Sequence, residues 1–193
     1  NYEYIDTGAM YRALAYKAYK NNIKISENKI DDMLLNTKID YFNNNIFLDN
    51  ENVEDFIRSE NISILASEIS MLKNVRTKMV DLQRQIAKNK NIIMDGRDIG
   101  TIVFPNADLK FFITASVEKR AKRRYNELKL KGLNVLYDDI LSDIKTRDEN
   151  DSNREISPLK MAADAILIDT TDMKIEEVVN KIIIYISEGP NAI

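Results

Sequence analysis

Residues 91–105 read Asn91-Ile92-Ile93-Met94-Asp95-Gly96-Arg97-Asp98-Ile99-Gly100-Thr101-Ile102-Val103-Phe104-Pro105. The short apolar run before Asp95 is typical of a buried parallel strand that ends at a glycine. Gly96 lets the backbone turn where a side chain would not fit. The strand therefore presents Asp95, Arg97 and Asp98 at its carboxyl end, where open α/β sheets bind ligands. Two acids around an arginine suit a ligand with donors and an anionic group, such as a nucleotide. A surface turn with local ion pairs is the alternative.

The composition narrows the chemistry. The chain has 193 residues and a net charge of −3, and it contains no cysteine and no histidine. This excludes disulfides and thiolate metal sites in this chain, and it removes the commonest general base. Carboxylates, arginines, lysines, hydroxyls and a hard cation bound through oxygen remain. Phosphoryl transfer fits this set because it relies on positioning and electrostatic stabilisation. No apolar run approaches the roughly 18 residues of a membrane span, so we expect no membrane partner.

The rest of the chain alternates strand and helix patterns. Residues 2–5 predict the tail of a strand, Asp6-Thr7-Gly8 a turn, and the residues from Ala9 a helix that carries Arg12 one turn inside. Arg12 alone would more often be a surface arginine. Residues 109–114 and 165–170 predict two more strands, and residues 175–186 a closing helix. This alternation predicts a parallel α/β sheet covered by helices on both faces.

Residues 24–58 differ from this alternation. Two apolar segments, residues 39–42 and 46–48, flank Asn43-Asn44-Asn45 and predict a β-hairpin with an Asn-rich turn. A local antiparallel pair indicates an inserted subdomain. Residues 60–88 then predict helices. They carry Ser67 and Arg76, for which solvent exposure is the plain alternative to a binding role.

A basic helix follows Ser116, which is a suitable N-cap. Its residues Arg120, Arg123 and Arg124 share one face. A solvated basic face, a nucleic-acid patch and a polyphosphate clamp are all open interpretations of this cluster.

A second helix is predicted from Asp138 to about Asp151. We expect it to bring Arg147, Asp151 and Arg154 onto one face at i, i+4 and i+7. Such alternation usually indicates a salt-bridged surface. Two arginines that bracket an aspartate also suit a sugar hydroxyl and a phosphate.

Three segments, in order and at appropriate spacing, resemble bacterial cytidylate kinases. They are Asp6-Thr7-Gly8-Ala9-Met10-Tyr11-Arg12, Asp95-Gly96-Arg97-Asp98-Ile99-Gly100-Thr101-Ile102-Val103-Phe104-Pro105-Asn106-Ala107 and Arg147-Asp148-Glu149-Asn150-Asp151-Ser152-Asn153-Arg154. The likeness runs from Tyr4 to about Ile186. It implies the nucleoside-monophosphate-kinase form of the P-loop fold, an α/β fold with a parallel sheet flanked by helices. Residues 1–193 would form one N-terminally incomplete kinase domain. Its core would be residues 1–23, 76–117 and 156–187, its NMP-binding insertion about residues 24–75 and its helical lid about residues 118–155.

The resemblance also implies the reaction, which is transfer of the γ-phosphoryl group of ATP, with Mg²⁺, to CMP or dCMP, giving CDP or dCDP. From it we expect a cytoplasmic monomer without a nucleic-acid partner. At the matching positions it implies CMP binding by Arg12, Ser67, Arg76, Arg97, Asp98, Arg147, Asp151 and Arg154. It implies stabilisation of the transferring group by Arg97, Arg120, Arg123 and Arg124, the last three forming the lid contacts to ATP.

These implied roles make chemical sense. Asp98 can accept a hydrogen bond from the exocyclic amino group of cytosine, as carboxylates do. Arg76 can donate to the ring acceptors, and Ser67 can complete the edge. Arg12, Arg97 and Arg154 suit the acceptor's phosphate, and Arg147 with Asp151 suits the ribose hydroxyls. Asp6 could orient water around Mg²⁺; no direct metal ligand is assigned.

One departure from the family concerns the phosphate-binding loop, Gly-x-x-x-x-Gly-Lys-Ser/Thr, which this sequence lacks. None of the five glycines is followed by Lys-Ser or Lys-Thr. In the family the loop follows the central strand and lies just before the point where this chain begins. A sheet without that strand would leave two buried strands with unpaired backbone. We therefore expect the natural protein to be longer, with its main ATP site outside this sequence.

Three alternatives stay open at this point. A related kinase could act on UMP or another small acceptor, or the chain could bind CMP without catalysis, as the missing loop would allow. The basic helix could also contact RNA, although the acidic balance and the lack of interleaved aromatic residues argue against it.

Overall fold

The computed structural model describes residues 2–42 and 45–189. Its elements form two compact units, which we describe separately. Unit 1 comprises Asn1–Phe104 and Arg154–Pro158, and unit 2 comprises Pro105–Asn153 and Leu159–Ile193. The predicted core, insertion and lid boundaries stay a prediction.

Unit 1 contains two small sheets and four helices within the described residues. Its elements are β1 (Glu3–Asp6), α1 (Thr7–Lys20), α2 (Glu27–Leu35), β2 (Ile39–Phe42), β3 (Asn45–Leu48), β4 (Glu51–Asn52), α3 (Glu60–Ile69), α4 (Lys73–Ile86), β5 (Ile92–Asp95) and a π-helical turn (Ile99–Val103). Strands β1 and β5 pair in parallel, with Asp6 opposite Asp95. This confirms the strand predicted before Gly96 and the strand predicted before the Asp6 turn.

Helix α1 begins at Thr7, two residues before the predicted start. Asp6 is its N-cap, and Asp6 Oδ1 accepts a hydrogen bond from the Ala9 backbone N–H at 2.9 Å. A side-chain oxygen at this position satisfies one of the donors that the first helical turn leaves open. Asp6 is therefore both the last residue of β1 and the N-cap of α1.

The predicted hairpin is confirmed in its two strands. β2 and β3 are antiparallel, with Ile39 opposite Leu48, whereas Asn43 and Asn44 of the predicted turn lie outside the described residues. The two-residue strand β4 extends this sheet and was not predicted. The hairpin packs its apolar face against α1, because Ile39, Ile46 and Leu48 are buried in the same core as that helix.

Helices α3 and α4 confirm the prediction for residues 60–88. The apolar face of α3 contributes Ile62, Ala66 and Ile69 to the core of unit 1, and that of α4 contributes Val75 and Met79. This spacing of three and four residues is what an amphipathic helix requires.

Unit 2 contains one parallel strand pair and three helices within its described part. The elements are β6 (Phe111–Thr114), α5 (Val117–Leu130), α6 (Tyr137–Asn153), β7 (Ile166–Asp169) and α7 (Ile175–Glu188). β6 pairs with β7 in parallel, and α5 packs on α6 around Ala121, Leu128 and Ile140. Ser116 caps α5 as predicted. The parallel strands and flanking helices confirm the α/β class. Within residues 2–42 and 45–189, every helix is too short or too polar to cross a bilayer.

The strands are less covered than the sequence predicts. Ile93, Ile113 and Leu167 each leave 54% of their surface exposed, whereas Ile168 is fully buried. Successive side chains of a strand point to opposite faces. Within each unit, one face of the strand pair therefore carries much less cover than the other.

Gly96 has the steric role that its sequence predicts. A Cβ atom at this position would lie 2.4 Å from Thr7 Oγ1 and 2.8 Å from Ile99 Cδ1. The Thr7 hydroxyl is fixed there because it donates to the Asp95 carbonyl at 2.7 Å. The turn after β5 thus packs directly on the start of α1.

We expect Gly96→Ala to lower the free energy of unfolding by about 1–3 kcal/mol, because the added methyl group overfills a packed site. Chemical denaturation measures the change. Gly132→Ala is the matched control, because Gly132 has a φ of +77° but no atom within 4 Å of its Cβ position. If Gly96→Ala cost no more than Gly132→Ala, steric crowding would not be the reason for this glycine.

Candidate active site

The carboxyl ends of β1 and β5 place two acids side by side in unit 1. Because the strands are parallel and in register, Asp6 lies opposite Asp95. Asp6 Oδ2 accepts a hydrogen bond from Arg12 Nη2 at 2.7 Å and lies 3.2 Å from Arg58 Nη1. Tyr4 donates its hydroxyl to Asp95 Oδ1 at 2.9 Å. The strand ends therefore hold two carboxylates, two guanidinium groups and a phenol.

The two acids differ in how they are balanced. The pKa of Asp95 is raised above its ordinary value because neighbouring atoms keep water from the carboxylate; the hydrogen bond from Tyr4 opposes this, and the charge of Asp6 adds to it. The pKa of Tyr4 is also raised, first by burial of its hydroxyl and then by the bond to Asp95. Asp6, by contrast, is contacted by the guanidinium groups of Arg12 and Arg58.

The most buried charges of unit 1 are Arg76 on α4 and Asp98 in the turn after β5. Their side chains are 2% and 7% exposed, and Arg76 Nη2 donates to Asp98 Oδ2. Arg76 Nη1 also donates to the Ser70 carbonyl at 3.3 Å, while Arg76 Nε is buried with no acceptor among the described residues. The alternative of a solvent-exposed Arg76 is therefore wrong, and its role in binding stays a prediction.

Tyr11 lies against this ion pair. The Arg76 guanidinium carbon is 5.7 Å from the centre of the Tyr11 ring, a cation–π distance. Burial raises the pKa of Tyr11 to about 12, and the charge of Arg76 opposes that rise. No role was predicted for Tyr11 itself. The only feature of the sequence that could have indicated Tyr11 is its position directly before Arg12, a predicted binding residue.

Ser67 is half-buried on α3, and its backbone carbonyl accepts from the Ser70 hydroxyl at 2.8 Å. The Ser70 carbonyl in turn accepts from Arg76, so the end of α3 joins Ser67 to the buried pair through Ser70. Arg97 is exposed in the turn directly after Gly96. These residues occupy the same unit as Arg12, Arg76 and Asp98.

The predicted helical position of Arg154 is wrong. Helix α6 ends at Asn153, and Arg154 belongs to unit 1, where its Nε donates to the Ser157 carbonyl at 2.8 Å. The chain turns there, because the Leu159 N–H returns to the Asp151 carbonyl at 2.7 Å. Burial is the main cause of the raised pKa of Tyr11 in the same unit, and the charge of Arg154 opposes that rise.

Unit 2 holds the predicted lid arginines on α5, and each has an acceptor in that unit. Arg120 makes a two-pronged contact to Asp148 of α6, with distances of 3.0 and 2.6 Å. Arg123 donates to the Thr170 hydroxyl and carbonyl at 3.2 and 2.5 Å. Arg124 pairs with Glu127 at 2.8 Å. Sequence analysis missed the first two acceptors, which lie 28 and 47 residues away.

Arg147 and Asp151 lie one turn apart on α6, as predicted. Arg147 is exposed, whereas Asp151 is buried and its carbonyl accepts from Leu159. Spacing of four residues places two side chains on one helix face. A hydroxyl-bearing ligand could therefore contact both.

The chain matches the cytidylate kinase family over residues 1–188. It belongs to that family. Relatives named cytidylate kinase include proteins of Alkaliphilus oremlandii, 52% identical over 184 residues, and of Caldicellulosiruptor bescii, 49% identical over 187 residues. The alignments cover 95% and 94% of this chain, and 85% and 83% of those relatives. A Clostridioides difficile cytidylate kinase is 47% identical over 184 residues, with 95% and 85% covered.

Membership of the cytidylate kinase family confirms the predicted class of enzyme, an ATP-dependent nucleoside monophosphate kinase. It also favours that class over a binding module without catalysis. Family membership does not assign roles to individual residues, and those roles stay predictions.

The raised pKa of Asp95 leads to a pH-dependent prediction. Because its pKa is raised, Asp95 binds a proton more tightly in the folded state than in the unfolded chain. Its ionisation therefore lowers the free energy of unfolding as the pH rises from about 4, its ordinary pKa, through its pKa in the folded protein. We expect Asp95→Asn to be more stable than the parent at pH 7, because the amide oxygen can still accept from Tyr4 and places no negative charge beside Asp6. Thermal unfolding at several pH values measures the difference.

The gain should shrink as the pH falls towards 4, where the parent carboxyl group is protonated as well. Asp81→Asn, an exposed position on α4, is the control for the loss of one negative charge. A gain of the same size at pH 4 and pH 7 would contradict this explanation.

Proposed function

We propose that this protein transfers the γ-phosphoryl group of ATP to CMP and dCMP, and that Asp98 and Arg76 read the cytosine base. The observation that carries this assignment is the buried Arg76–Asp98 pair in unit 1. A buried ion pair is weak support for stability, because removing two charges from water is costly. A role in binding a ligand would explain why the protein retains this energetically costly pair.

Cytosine has an exocyclic amino donor beside a ring-nitrogen acceptor. A carboxylate accepts from the amino group, and a guanidinium donates to the ring acceptors. Uracil presents a carbonyl where cytosine has the amino group, so it would leave Asp98 facing an acceptor. Sites that leave buried polar groups unpaired discriminate more strongly than sites that differ by size alone.

For the acceptor's phosphate we propose Arg12, Arg97 and Arg154 in unit 1. Arg12 has its Nη2 on Asp6, while its Nε is buried without an acceptor among the described residues. Arginine suits phosphate because its planar group can donate two parallel hydrogen bonds. Ser67 would complete the cytosine edge.

In unit 2 we propose Arg147 and Asp151 as ligands of the ribose hydroxyls. Arg120, Arg123 and Arg124 would neutralise the transferring phosphoryl group, together with Arg97. Each of the three α5 arginines now contacts an oxygen acceptor. Phosphate oxygens would have to replace part of these contacts, so the arginines must change partners during the reaction.

The acids at the strand ends fit a role around Mg²⁺. Within the described residues no cluster of three or more acids could enclose a metal. Mg²⁺ in kinases keeps several waters and uses one or two carboxylates with substrate phosphates, which suits Asp6 and Asp95 acting through water. When bound, the ion would neutralise charge on the phosphates of ATP. We also propose that the enzyme is a cytoplasmic monomer. We propose no nucleic-acid partner, because binding of nucleotide substrates accounts for its arginines.

An ATP-dependent phosphorylation assay with CMP, dCMP, UMP and AMP tests the substrate assignment. We expect rapid turnover of CMP and dCMP and little of UMP, because uracil presents a carbonyl to Asp98. AMP tests the size of the site, because adenine also has an amino group beside a ring nitrogen but is a larger purine. The purified full-length protein should be used, with product formation followed by chromatography. Equal turnover of CMP and UMP would refute the cytosine assignment.

We expect Asp98→Asn to reduce the ratio of kcat/KM for CMP to that for UMP by about 5- to 150-fold, which corresponds to one good base contact of about 1–3 kcal/mol. The variant will also unfold at a lower temperature, because Arg76 stays buried without its counter-charge. The ratio is insensitive to this loss, because both substrates are assayed on one sample. Asp81→Asn is the control, and an unchanged ratio in Asp98→Asn would remove Asp98 from base recognition.

A further inference from the structure

Arg58 is an arginine for which no role was predicted from the sequence. It lies in the segment between β4 and α3, directly before Ser59, which caps α3. Its Nε contacts Glu54 Oε1 at 3.0 Å, and its Nη1 reaches Asp6 Oδ2 at 3.2 Å. The segment after the hairpin thereby touches the carboxyl end of β1.

A second contact joins the hairpin to the same strand end. Tyr41 of β2 donates its hydroxyl to the Asp6 carbonyl at 2.6 Å. The pKa of Tyr41 is raised, first by burial and then by the charges of Asp6 and Glu54. Tyr41 therefore stays a neutral donor at physiological pH, and it fixes the hairpin where Arg58 can reach the site.

The two arginines on Asp6 share a single oxygen atom. Arg12 Nη2 is 2.7 Å and Arg58 Nη1 is 3.2 Å from Asp6 Oδ2, while Asp6 Oδ1 is used by the cap of α1. A guanidinium group has five N–H donors. Arg58 also pairs with Glu54 through Nε and Nη2. Even so, the two guanidinium groups on Asp6 have more N–H donors than Asp6 Oδ2 can accept.

We propose that Arg58 is a further ligand of the acceptor's phosphate, and that Asp6 holds it beside Arg12 until the phosphate arrives. This rests on the proposed function, in which Arg12 binds that phosphate. A nucleoside monophosphate brings up to two negative charges and several acceptor oxygens to a place where Asp6 offers one oxygen. The Arg58 side chain is 52% exposed, so it can change partners at little packing cost.

The proposal differs from a purely structural role for Arg58. If the side chain only ties the hairpin segment to β1, its loss would weaken binding of a nucleoside and of its monophosphate alike. If it contacts phosphate, only the monophosphate would lose affinity. Cytidine and CMP differ by that one group, so the pair separates the two roles.

The test compares equilibrium binding of CMP and cytidine to the parent protein and to Arg58→Gln by calorimetry. We expect CMP affinity to fall by about 10- to 100-fold, the range for a charge-assisted hydrogen bond, with cytidine affinity changed less than about twofold. Arg58→Lys should recover part of the loss, because it keeps the charge without the planar fork. KM for ATP should not change.

Lys38→Gln is the matched control. Lys38 also lies in the hairpin region and forms an exposed pair with Asp40 at 2.7 Å, so the variant removes one positive charge away from Asp6. It should leave both affinities unchanged. An equal loss for CMP and cytidine in Arg58→Gln, or no loss for CMP, would overturn the proposal.

The parent protein distinguishes this failure from failure of the proposed function. If the parent binds CMP no better than cytidine, the phosphate assignment of Arg12 fails as a whole. If the parent prefers CMP and Arg58→Gln retains the full preference, only the role of Arg58 fails.

Discussion

The buried ion pair between Arg76 and Asp98 is the contact on which the rest of unit 1 depends. It ties α4 to the turn after β5, two segments 22 residues apart, and it lies beside the ring of Tyr11 on α1. Removing one partner would leave a buried, uncompensated charge, which typically costs about 3–5 kcal/mol. The pair thus fixes α1, α4 and the turn after β5 in one arrangement.

The parallel pairing of β1 and β5 supplies the second constraint. The register of the two strands brings Asp6 and Asp95 together. Two carboxylates at such a short distance repel each other unless positive groups lie beside them or one of them is protonated. Asp6 is balanced by Arg12 and Arg58, and Asp95 is bonded to Tyr4 and has a raised pKa. A chain without histidine or cysteine can still support phosphoryl transfer in this way, because the reaction needs positioned charges rather than a strong base.

The arginines of both units share one design. Arg12 and Arg58 contact an aspartate in unit 1, and Arg120 contacts an aspartate in unit 2. These ion pairs restrict the arginine side chains, so under the proposed roles a phosphate would meet side chains that have already lost part of their conformational entropy. The partners are half-exposed carboxylates in several cases, so they give way without opening a core.

The sequence by itself determined the local structure and the family. Alternating apolar runs, the Ser116 cap, the crowded Gly96 turn and three long motifs depend on residues close along the chain, so they could be predicted. The capping of α1 by Asp6 is equally local but was not predicted. The tertiary structure alone decided that Arg76 is buried on Asp98, that Arg58 reaches Asp6, that Arg123 contacts Thr170 and that Arg154 leaves α6. These contacts join residues far apart in sequence, and helical periodicity or capping carries no information about which distant side chain will provide an acceptor.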